Sequence, residues 1–451
     1  MEKAKNFTEG RILAPLLGFA LPVLLALFLQ AMYGAIDLMV VGQYAATEDV
    51  SGVATGSQLM MTVTTVITGL AMGTTVLLGQ KIGEGNGRMA GRVVGNSICL
   101  FAFFALVMTA VLVAFARPLC IMLHAPQDAL EPTVDYVRIC SSGAVFIVAF
   151  NVLGSVFRGI GDSRLPLVTV AIACVVNIAG DLLLVAVFGM GAAGAALATV
   201  AAQAISVLLS LLIIMRKRLP FQFSRADIRL ERAIVSHILR IGTPMALQDL
   251  RVSVSGLVLL AIVNSLGLIA SAGVGVAEKL CGFVMLIPSA YMQAMSAFVA
   301  QNIGAGKPER ARKALAYGIG TSLAAGVLVG WLSFFHGDWL AGIFARDPLV
   351  VAAAADYLKA YAIDCLLVSF LFCFIGYFSG MGKTVFVMLQ GLIGAFLVRI
   401  PVSYFVSRIA GVSLFYIGLA TPASTFIQIV LCAAYMCLCL RHERQNDLDE
   451  R

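Results

Sequence analysis

Charged residues are scarce in this chain of 451 residues, because Asp, Glu, Lys and Arg together make up only 12% of it. Soluble domains contain about 25% of these residues. Hydrophobic residues account for 60% of the chain, and its mean hydropathy is +0.96. This composition excludes a soluble globular domain and is typical of a protein that crosses a membrane several times.

Several motifs are also missing. The chain has no series of short alternating strands, as a membrane barrel requires, and no Walker-type phosphate loop, so ATP is not expected to drive it. The ten cysteines lack the spacing of a metal site and mostly fall inside apolar runs as small fillers. The first apolar run is too long for a cleavable signal peptide. We expect no enzymatic activity and no cofactor.

Long apolar runs dominate what is present. A spanning helix needs about 20 mostly apolar residues, and the sequence has twelve runs of that kind. It therefore predicts an all-α integral membrane protein with twelve transmembrane helices. The runs cover residues 14–40, 50–77, 93–116, 133–157, 166–188, 192–215, 238–265, 273–299, 314–336, 352–378, 384–407 and 414–440.

The basic residues are unevenly distributed. Twenty-two lie in the even-numbered connections and the two termini, and five lie in the odd-numbered connections. Because basic connections stay in the cytoplasm, we expect both termini to be cytoplasmic in a multi-pass protein of the cell (inner or plasma) membrane. The net charge of +7 is then a topology signal beside the lipid bilayer, and we expect no nucleic-acid partner.

The two halves of the chain resemble each other. The stretch "LLGQKIGEGNGRMAGR" at 77–92 resembles "FVAQNIGAGKPERARK" at 298–313, and "FRGIGDSRLP" at 157–166 resembles "FSGMGKTVFV" at 378–387. These matches share an offset of 221 residues, and "ALPVLL" and "GTPMAL" align at 222. The matched pairs include Gln80 with Gln301, Gly83 with Gly304, Gly159 with Gly380, Gly161 with Gly382 and Pro22 with Pro244.

This repeat predicts the domain organisation. Six helices in each half give both halves the same orientation in the membrane. We expect an N-lobe over residues 1–215, a cytoplasmic linker over 216–232, a C-lobe over 233–440 and a cytoplasmic tail over 441–451. The two parallel six-helix repeats should form a V-shaped cleft, and that cleft is where a substrate would bind.

Four polar residues fall at one depth in the first repeat. With a rise of 1.5 Å per residue, Asp37 lies about 8 Å and Asp181 about 12 Å below the outer end of their helices, and Thr199 about 8–12 Å below. Asn177 is one turn deeper than Asp181 on the same helix face. Carboxylate, amide and hydroxyl oxygens suit Na⁺, and two neighbouring carboxylates also suit a shared proton. Since carboxylates inside a membrane are usually functional, we expect an ion-loading site here.

The second repeat does not duplicate this group. At the offset of 221, Asp181 corresponds to Val402 and Asn177 to Val398, whereas Thr199 corresponds to Thr421. Glu278 is expected to pair locally with Lys279 or to reach the membrane surface, and Arg399 must have a partner that the sequence does not identify. We expect the cleft lining to include Gln30, Tyr33, Gln58, Gln248, Asp249, Arg251 and Asp364.

Several of these segments together resemble the multidrug and toxic compound extrusion transporters, a resemblance that covers about residues 14–440. The segments are "ALPVLLALFLQAMYGAIDLMVVG", "GQKIGEGN", "FRGIGDSRLP", "NIAGDLLLVAVFGMGAAGAALATVAAQ" and "AQNIGAGKPERA". The resemblance implies export of small amphipathic, often cationic compounds, driven by inward Na⁺ or H⁺ through alternating access between the two lobes, by a protein expected to be a monomer.

The resemblance also assigns residues. Its prokaryotic members use a cation site whose positions match Asp37, Asn177, Asp181 and Thr199. One branch uses a Glu and an Asp in the second repeat, where this chain has Val252 and Val368. An alternative is a flippase for lipid-linked oligosaccharides of the same superfamily, although such proteins line the cleft with several basic residues. An ion channel or a membrane scaffold is a third reading, disfavoured by the repeat and the paired acids.

Overall fold

The apolar runs form helices in the computed structural model, which describes residues 7–216, 219–409 and 411–449. Lys3, Lys5, Lys217, Arg218 and Arg451, all counted in the charge distribution, lie outside these ranges, as do small parts of the predicted linker and tail. Within the described ranges there is no β-strand. Eleven helices are long and apolar enough to cross a membrane, and one bent pair forms a twelfth span. The predicted twelve-helix, all-α membrane fold is confirmed.

The helices of the first repeat are α1 Leu13–Tyr44, α2 Thr47–Gly83, α3 Gly87–Ala114, α4 Ala116–Met122, α5 Leu130–Ser142, α6 Ala144–Gly159, α7 Arg164–Asp181 and α8 Gly191–Arg216. Those of the second repeat are α9 Arg232–Asn264, α10 Leu268–Val284, α11 Leu286–Gly304, α12 Pro308–Phe335, α13 Gly337–Gly342, α14 Pro348–Gly380, α15 Thr384–Leu392, α16 Ile400–Ser407, α17 Leu414–Gly418 and α18 Ala420–Asp449. Several bounds recur at the offset of 221, as at Gly83 and Gly304.

The repeats differ in where their spans break. In the first repeat the fourth span bends by 55° at Gly143, between α5 and α6. The matching helix α14 is continuous, and the break falls instead at Met285 between α10 and α11, three residues before Pro288. A proline ring cannot continue a regular helix behind it, which accounts for a break at this position. Two π-helical segments, Leu182–Val187 and Ile393–Arg399, interrupt the fifth and eleventh spans.

Residue contacts divide the chain into two compact units. The first unit contains Met1–Ala246, Ala297–Arg310 and Gly380–Gly382. The second contains Leu247–Ser296, Ala311–Ser379 and Lys383–Arg451. The first unit thus includes short segments of the second repeat, whereas the lobe boundaries proposed from the sequence follow the repeats alone.

The repeat-matched motifs meet each other inside the first unit. The side-chain amide of Gln80 donates to the carbonyl oxygen of Gly380 at 3.1 Å, and that of Gln301 donates to the carbonyl oxygen of Gly159 at 2.9 Å. Gly83 and Gly304 let the two helix ends approach closely. A Cβ atom on either glycine would lie 2.0 Å from a backbone oxygen, that of Gln301 or of Gln80 respectively. We call these paired contacts the glutamine–glycine clasp.

The segment before α1 is tied to the same region. The Phe7 side chain is fully buried against Phe19 and Phe298. The guanidinium of Arg310 donates hydrogen bonds of 2.7–3.3 Å to backbone carbonyls of residues 7, 9, 10 and 11. Asn302 donates to the carbonyl oxygen of Phe7 at 3.1 Å. Arg310, read from the sequence as a topology signal, therefore also fixes the start of the first span.

Arg310→Ala should lower the free energy of unfolding by about 2 kcal/mol, because four backbone carbonyls lose charged donors that contribute about 1.5–3 kcal/mol each before solvent screening, which reduces the effect of the three exposed ones. Lys313→Ala is the matched control, since Lys313 is an exposed cation one turn further along the same helix. Thermal unfolding in detergent measures both variants. Equal melting temperatures for the two would contradict this role of Arg310.

The stretch between the repeats packs against α3. A Cβ atom on Gly91 or Gly95 would lie within 2.0 Å of a backbone oxygen of this stretch. Glu231 accepts hydrogen bonds from the Arg92 guanidinium, and its backbone N–H donates to Asn96 at 2.6 Å. The hydrogen bonds from Arg92 lower the pKa of Glu231 to about 2. Their stabilising effect is therefore complete above the ordinary pKa of Glu, about 4.3, and is lost as the pH falls toward 2.

Candidate functional site

Three helices of the first unit bring four polar residues together. Asp37 comes from α1, Asn177 and Asp181 from the end of α7, and Thr199 from α8. The Asn177 amide donates to the Thr199 hydroxyl at 3.5 Å, and that hydroxyl donates to Oδ2 of Asp37 at 3.4 Å. The Asp181 carboxyl lies beside the Asp37 carboxyl. The structure thus assembles the group that the depth estimate placed at one level.

These side chains are buried and short of hydrogen-bond partners. The exposed fraction is 5% for Asp37, 1% for Asn177 and zero for Asp181. Four of their oxygens have no hydrogen-bond partner: Oδ1 of Asp37, Oδ1 of Asn177 and both carboxylate oxygens of Asp181. Among the described residues no basic side chain forms an ion pair with either aspartate. Because a buried carboxylate requires compensation, this group is suited to receive a cation.

Local structure explains how the group forms. Gly180 lies against Ala198, where a Cβ atom would approach the Ala198 Cβ to 2.9 Å, so α7 and α8 come close beside the site. The π-helical segment Leu182–Val187 begins directly after Asp181. Such segments insert an extra residue into a helix and are frequent at functional sites. The apolar run in the sequence contains no signal that reveals this segment.

A small cavity adjoins the group in the first unit. Its lining combines apolar side chains with Asn177, Thr199, Tyr33 and Gln203, and the apolar part consists of Phe150, Val170, Ala173 and Ala202. Tyr33 was among the residues expected to contact substrate. Gln203 was not, although it lies one helical turn after Thr199 on the mostly apolar helix α8. Because Asn177 and Thr199 belong to both features, an occupant of the cavity would lie next to the carboxylates.

The group suits a monovalent cation. It offers two carboxylates, one amide oxygen and one hydroxyl, which are hard oxygen donors that suit Na⁺, and the paired carboxylates equally suit a proton. Nowhere in the described part of the chain do three or more His, Cys, Asp or Glu residues form a cluster that could hold a metal ion. The group therefore carries a charge of at most −2, and binding of one monovalent cation or proton reduces this charge to −1.

The other expected residues lie elsewhere. Gln30 lies on α1 and Gln58 on α2, whereas Gln248, Asp249, Arg251 and Asp364 belong to the second unit. The Arg251 guanidinium donates to the carbonyl oxygen of Gly391 at 2.8 Å. Within the described part of the first unit, neither the Gln30 nor the Gln58 side chain forms a hydrogen bond with the Asp37 group.

The second unit also contains a partner for Arg399. Its Nη2 lies 3.9 Å from Oε1 of Glu278, which accepts a hydrogen bond from the Tyr357 hydroxyl at 3.0 Å. Glu278 was expected to pair with Lys279 or to reach the membrane surface. That interpretation is corrected, because helices α10 and α14 bring Glu278 and Tyr357 together and the π-helical segment ending at Arg399 brings the guanidinium toward them.

Comparison with known families decides what kind of protein this is. The MatE family model matches residues 22–183 and again 244–405, which together form most of the chain and reproduce the internal repeat. The chain belongs to the MatE family. These are the multidrug and toxic compound extrusion transporters, so the protein is a membrane transporter and the resemblance inferred from its motifs is confirmed.

Individual relatives of this MatE transporter differ in their substrates. It is 27% identical over 400 residues to the probable multidrug resistance protein YpnP of Bacillus subtilis, covering 88% of this chain and 89% of that protein. It is 26% identical over 355 residues to the FAD transporter of Shewanella oneidensis, covering 77% of each chain. A solved MOP superfamily transporter from Pyrococcus furiosus matches with a TM-score of 0.91 at 18% identity over 98% of both chains, which shows the shared fold.

Proposed function

We propose that this MatE transporter is a secondary exporter that exchanges an inward-moving cation, Na⁺ or H⁺, for a small amphipathic, often cationic, substrate. The observation that supports the proposal best is the buried group formed by Asp37, Asn177, Asp181 and Thr199, with four oxygens that lack a hydrogen-bond partner. Relatives named as multidrug resistance proteins support the substrate class. The relative named as an FAD transporter extends the possible range to larger, anionic compounds.

The contacts of this group support an exchange mechanism. When both are ionised, the two buried carboxylates repel each other, and the hydrogen bonds within the group are long: 3.5 Å from the Asn177 amide to the Thr199 hydroxyl and 3.4 Å from that hydroxyl to Asp37. A bound cation would draw α1, α7 and α8 together around these oxygens. The adjoining cavity shares Asn177 and Thr199 with the group, so this contraction would reduce the space available to an occupant. Cation and substrate would then favour different conformations, which is the thermodynamic requirement for coupling by alternating access.

We further propose that the protein works as a monomer in the cell membrane with both termini in the cytoplasm, as the split of basic residues indicates. The structure provides two exposed positions for a test, Thr47 before the second span and Arg225 in the linker. In a cysteine-free background, a membrane-impermeant maleimide applied outside should label Thr47→Cys and miss Arg225→Cys. The reverse labelling pattern would contradict this orientation.

Efflux from proteoliposomes tests the proposed function. The purified protein should expel the cationic dye ethidium when an inward gradient of its coupling cation is imposed. An Na⁺ gradient and a proton gradient are imposed separately, and one of them alone should drive efflux. One cation exchanged for one monovalent dye moves no net charge, so a membrane potential alone should not drive efflux. Efflux that needs no ion gradient, or that follows the potential alone, would contradict the proposal.

A further inference from the structure

Arg399 is a charged side chain that forms no hydrogen bond within the described part of the chain. It lies eight residues before the end of α16, about 12 Å along the helix from its end. Its side chain is only 17% exposed, and its Nε atom is buried without a partner. A guanidinium carries five N–H donors in a fixed fork that matches a carboxylate or a phosphate. Burying such a group without acceptors is unfavourable, so these donors point to a missing acceptor.

The nearest acid does not supply that acceptor. Oε1 of Glu278 lies 3.9 Å from Nη2 of Arg399, which is longer than a hydrogen bond. The same oxygen already accepts the Tyr357 hydroxyl at 3.0 Å. The Glu278 side chain is 45% exposed, so it has room to turn away. Glu278 therefore acts as a loose counter-ion that leaves the fork of Arg399 open.

A second guanidinium increases the positive charge nearby. Arg251 lies close enough to Arg399 for the two charges to repel each other, and its Nε is also buried without a partner. Asp249 and Asp364 act on these arginines only at longer range, since neither acid lies within 4.0 Å of a guanidinium nitrogen in the described ranges. Two neighbouring cations with free donors favour an anion between or beside them.

The two repeats differ in chemistry around the positions that correspond to Asn177 and Asp181. In the first repeat, Asn177 and Asp181 supply oxygens without donors. At the offset of 221 their counterparts are Val398 and Val402, and the residue next to Val398 is Arg399. Two side-chain oxygens of the same unit, Ser403 Oγ and Thr421 Oγ1, are also buried without a hydrogen-bond partner. Ser403 lies four residues after Arg399, where the π-helical segment ends.

We propose that Arg399 is a binding residue for the carboxylate or phosphate group of an amphipathic organic anion, which displaces Glu278 from the guanidinium. The proposal rests on the function proposed above and specifies a substrate class for the second unit.

Two simple aromatic anions, benzoate and phenyl phosphate, test this binding in the purified full-length protein. A ligand that binds only the folded protein raises its melting temperature with concentration. Both anions should raise the melting temperature of the wild type. The cation benzyltrimethylammonium should give no increase that depends on Arg399. Arg399→Lys keeps the charge but loses the fork, and it should raise the half-saturating anion concentration about tenfold.

Glu278→Gln distinguishes a ligand site from a structural ion pair, because the two readings predict opposite effects. If Glu278 competes with the ligand, removing its charge should lower the half-saturating anion concentration severalfold. If the pair merely supports the fold, Glu278→Gln should reduce stability and should leave the half-saturating anion concentration no lower than that of the wild type. Arg408→Lys is the matched control, because Arg408 follows α16 and packs over the exposed ring of Tyr404.

Two further results would overturn the proposal. One is the absence of stabilisation of the wild type by either soluble anion. The other is stabilisation by phosphatidylglycerol in the micelle without stabilisation by the soluble anions, which would identify a lipid headgroup as the occupant. Asp181→Asn separates this proposal from the previous one. Anion stabilisation should persist in that variant, and loss of gradient coupling with intact anion binding would affect only the proposed exchange mechanism.

Discussion

Asp181→Asn should abolish gradient-driven efflux of ethidium, with a loss of at least about tenfold in rate, while expression and melting temperature stay close to those of the wild type. The substitution keeps the size and polarity of the side chain but removes a carboxylate whose oxygens have no hydrogen-bond partner in the structure. A buried charge without a partner does not stabilise a fold, so its removal should affect coupling rather than stability. Asp37→Asn should behave in the same way.

Asp364→Asn is the matched control for this prediction. Asp364 is also a buried aspartate with an unpartnered oxygen, with an exposed fraction of 2%, but it belongs to the second unit. We expect this variant to retain ion coupling and to change transport in a substrate-dependent way. Full coupling in Asp181→Asn, or complete loss of coupling in Asp364→Asn with Asp181 intact, would move the ion-loading site to the second unit.

Gly304→Ala should destabilise the first unit and strongly reduce export. The new Cβ atom would lie 2.0 Å from the backbone oxygen of Gln80, and relief requires movement of a helix backbone rather than of a side chain. Overpacking of this kind costs about 1–3 kcal/mol or more. Gly83→Ala should have a similar effect, because its Cβ atom would meet the backbone oxygen of Gln301 at the same distance.

Gly320→Ala provides the control for the glycine substitutions. Gly320 also lies within a helix, α12, but a Cβ atom there would meet no atom within 4 Å. Alanine has the higher helix propensity, so this variant should be as stable as the wild type or slightly more stable. Thermal unfolding and ethidium efflux of the three variants measure the effect. Wild-type stability in both Gly83→Ala and Gly304→Ala would show that the clasp is not tightly packed.

The spans and the repeat were accessible from the sequence for a physical reason. A bilayer imposes a fixed helix length and forbids unpaired backbone groups, so hydropathy alone located all twelve spans. The offset of 221 identified Gln80, Gln301, Gly83 and Gly304 as matched residues, and the structure shows that these residues contact one another. The sequence repeat therefore indicates the two related packing contacts of the glutamine–glycine clasp as well as a duplication of the chain.

The candidate site was also largely predictable. Polar residues are conspicuous in apolar helices, and the rise per residue placed Asp37, Asp181 and Thr199 at one level before any contact was known. The role of the cavity residue Gln203 was not apparent, because a single glutamine in the middle of a helix has no distinctive pattern. The π-helical segment after Asp181 was also missed, since one extra residue per turn does not alter the hydropathy of the run.

The second unit was least accessible from the sequence. Arg399 and Glu278 are 121 positions apart in the sequence. Only the packing of three helices shows that the Tyr357 hydroxyl donates to Glu278 while the Arg399 guanidinium forms no hydrogen bond with it. Arg310 likewise looked like one basic residue among many in a cytoplasmic connection. Its hydrogen bonds to the backbone before α1 depend on contacts across some 300 residues, which no local pattern encodes.

The number of coupling cations bound by one purified chain is the most direct test of an ion-loading site in the first repeat. Radioactive sodium binding at pH 8, together with the proton uptake between pH 8 and 6 that remains after subtraction of the uptake by the four histidines, should account for one cation per chain in the wild type, as Na⁺ or as H⁺. The same measurement should give none in Asp37→Asn and Asp181→Asn, and one in Asp364→Asn. Unchanged binding in Asp181→Asn, or a cation lost in Asp364→Asn alone, would contradict an ion-loading site in the first repeat.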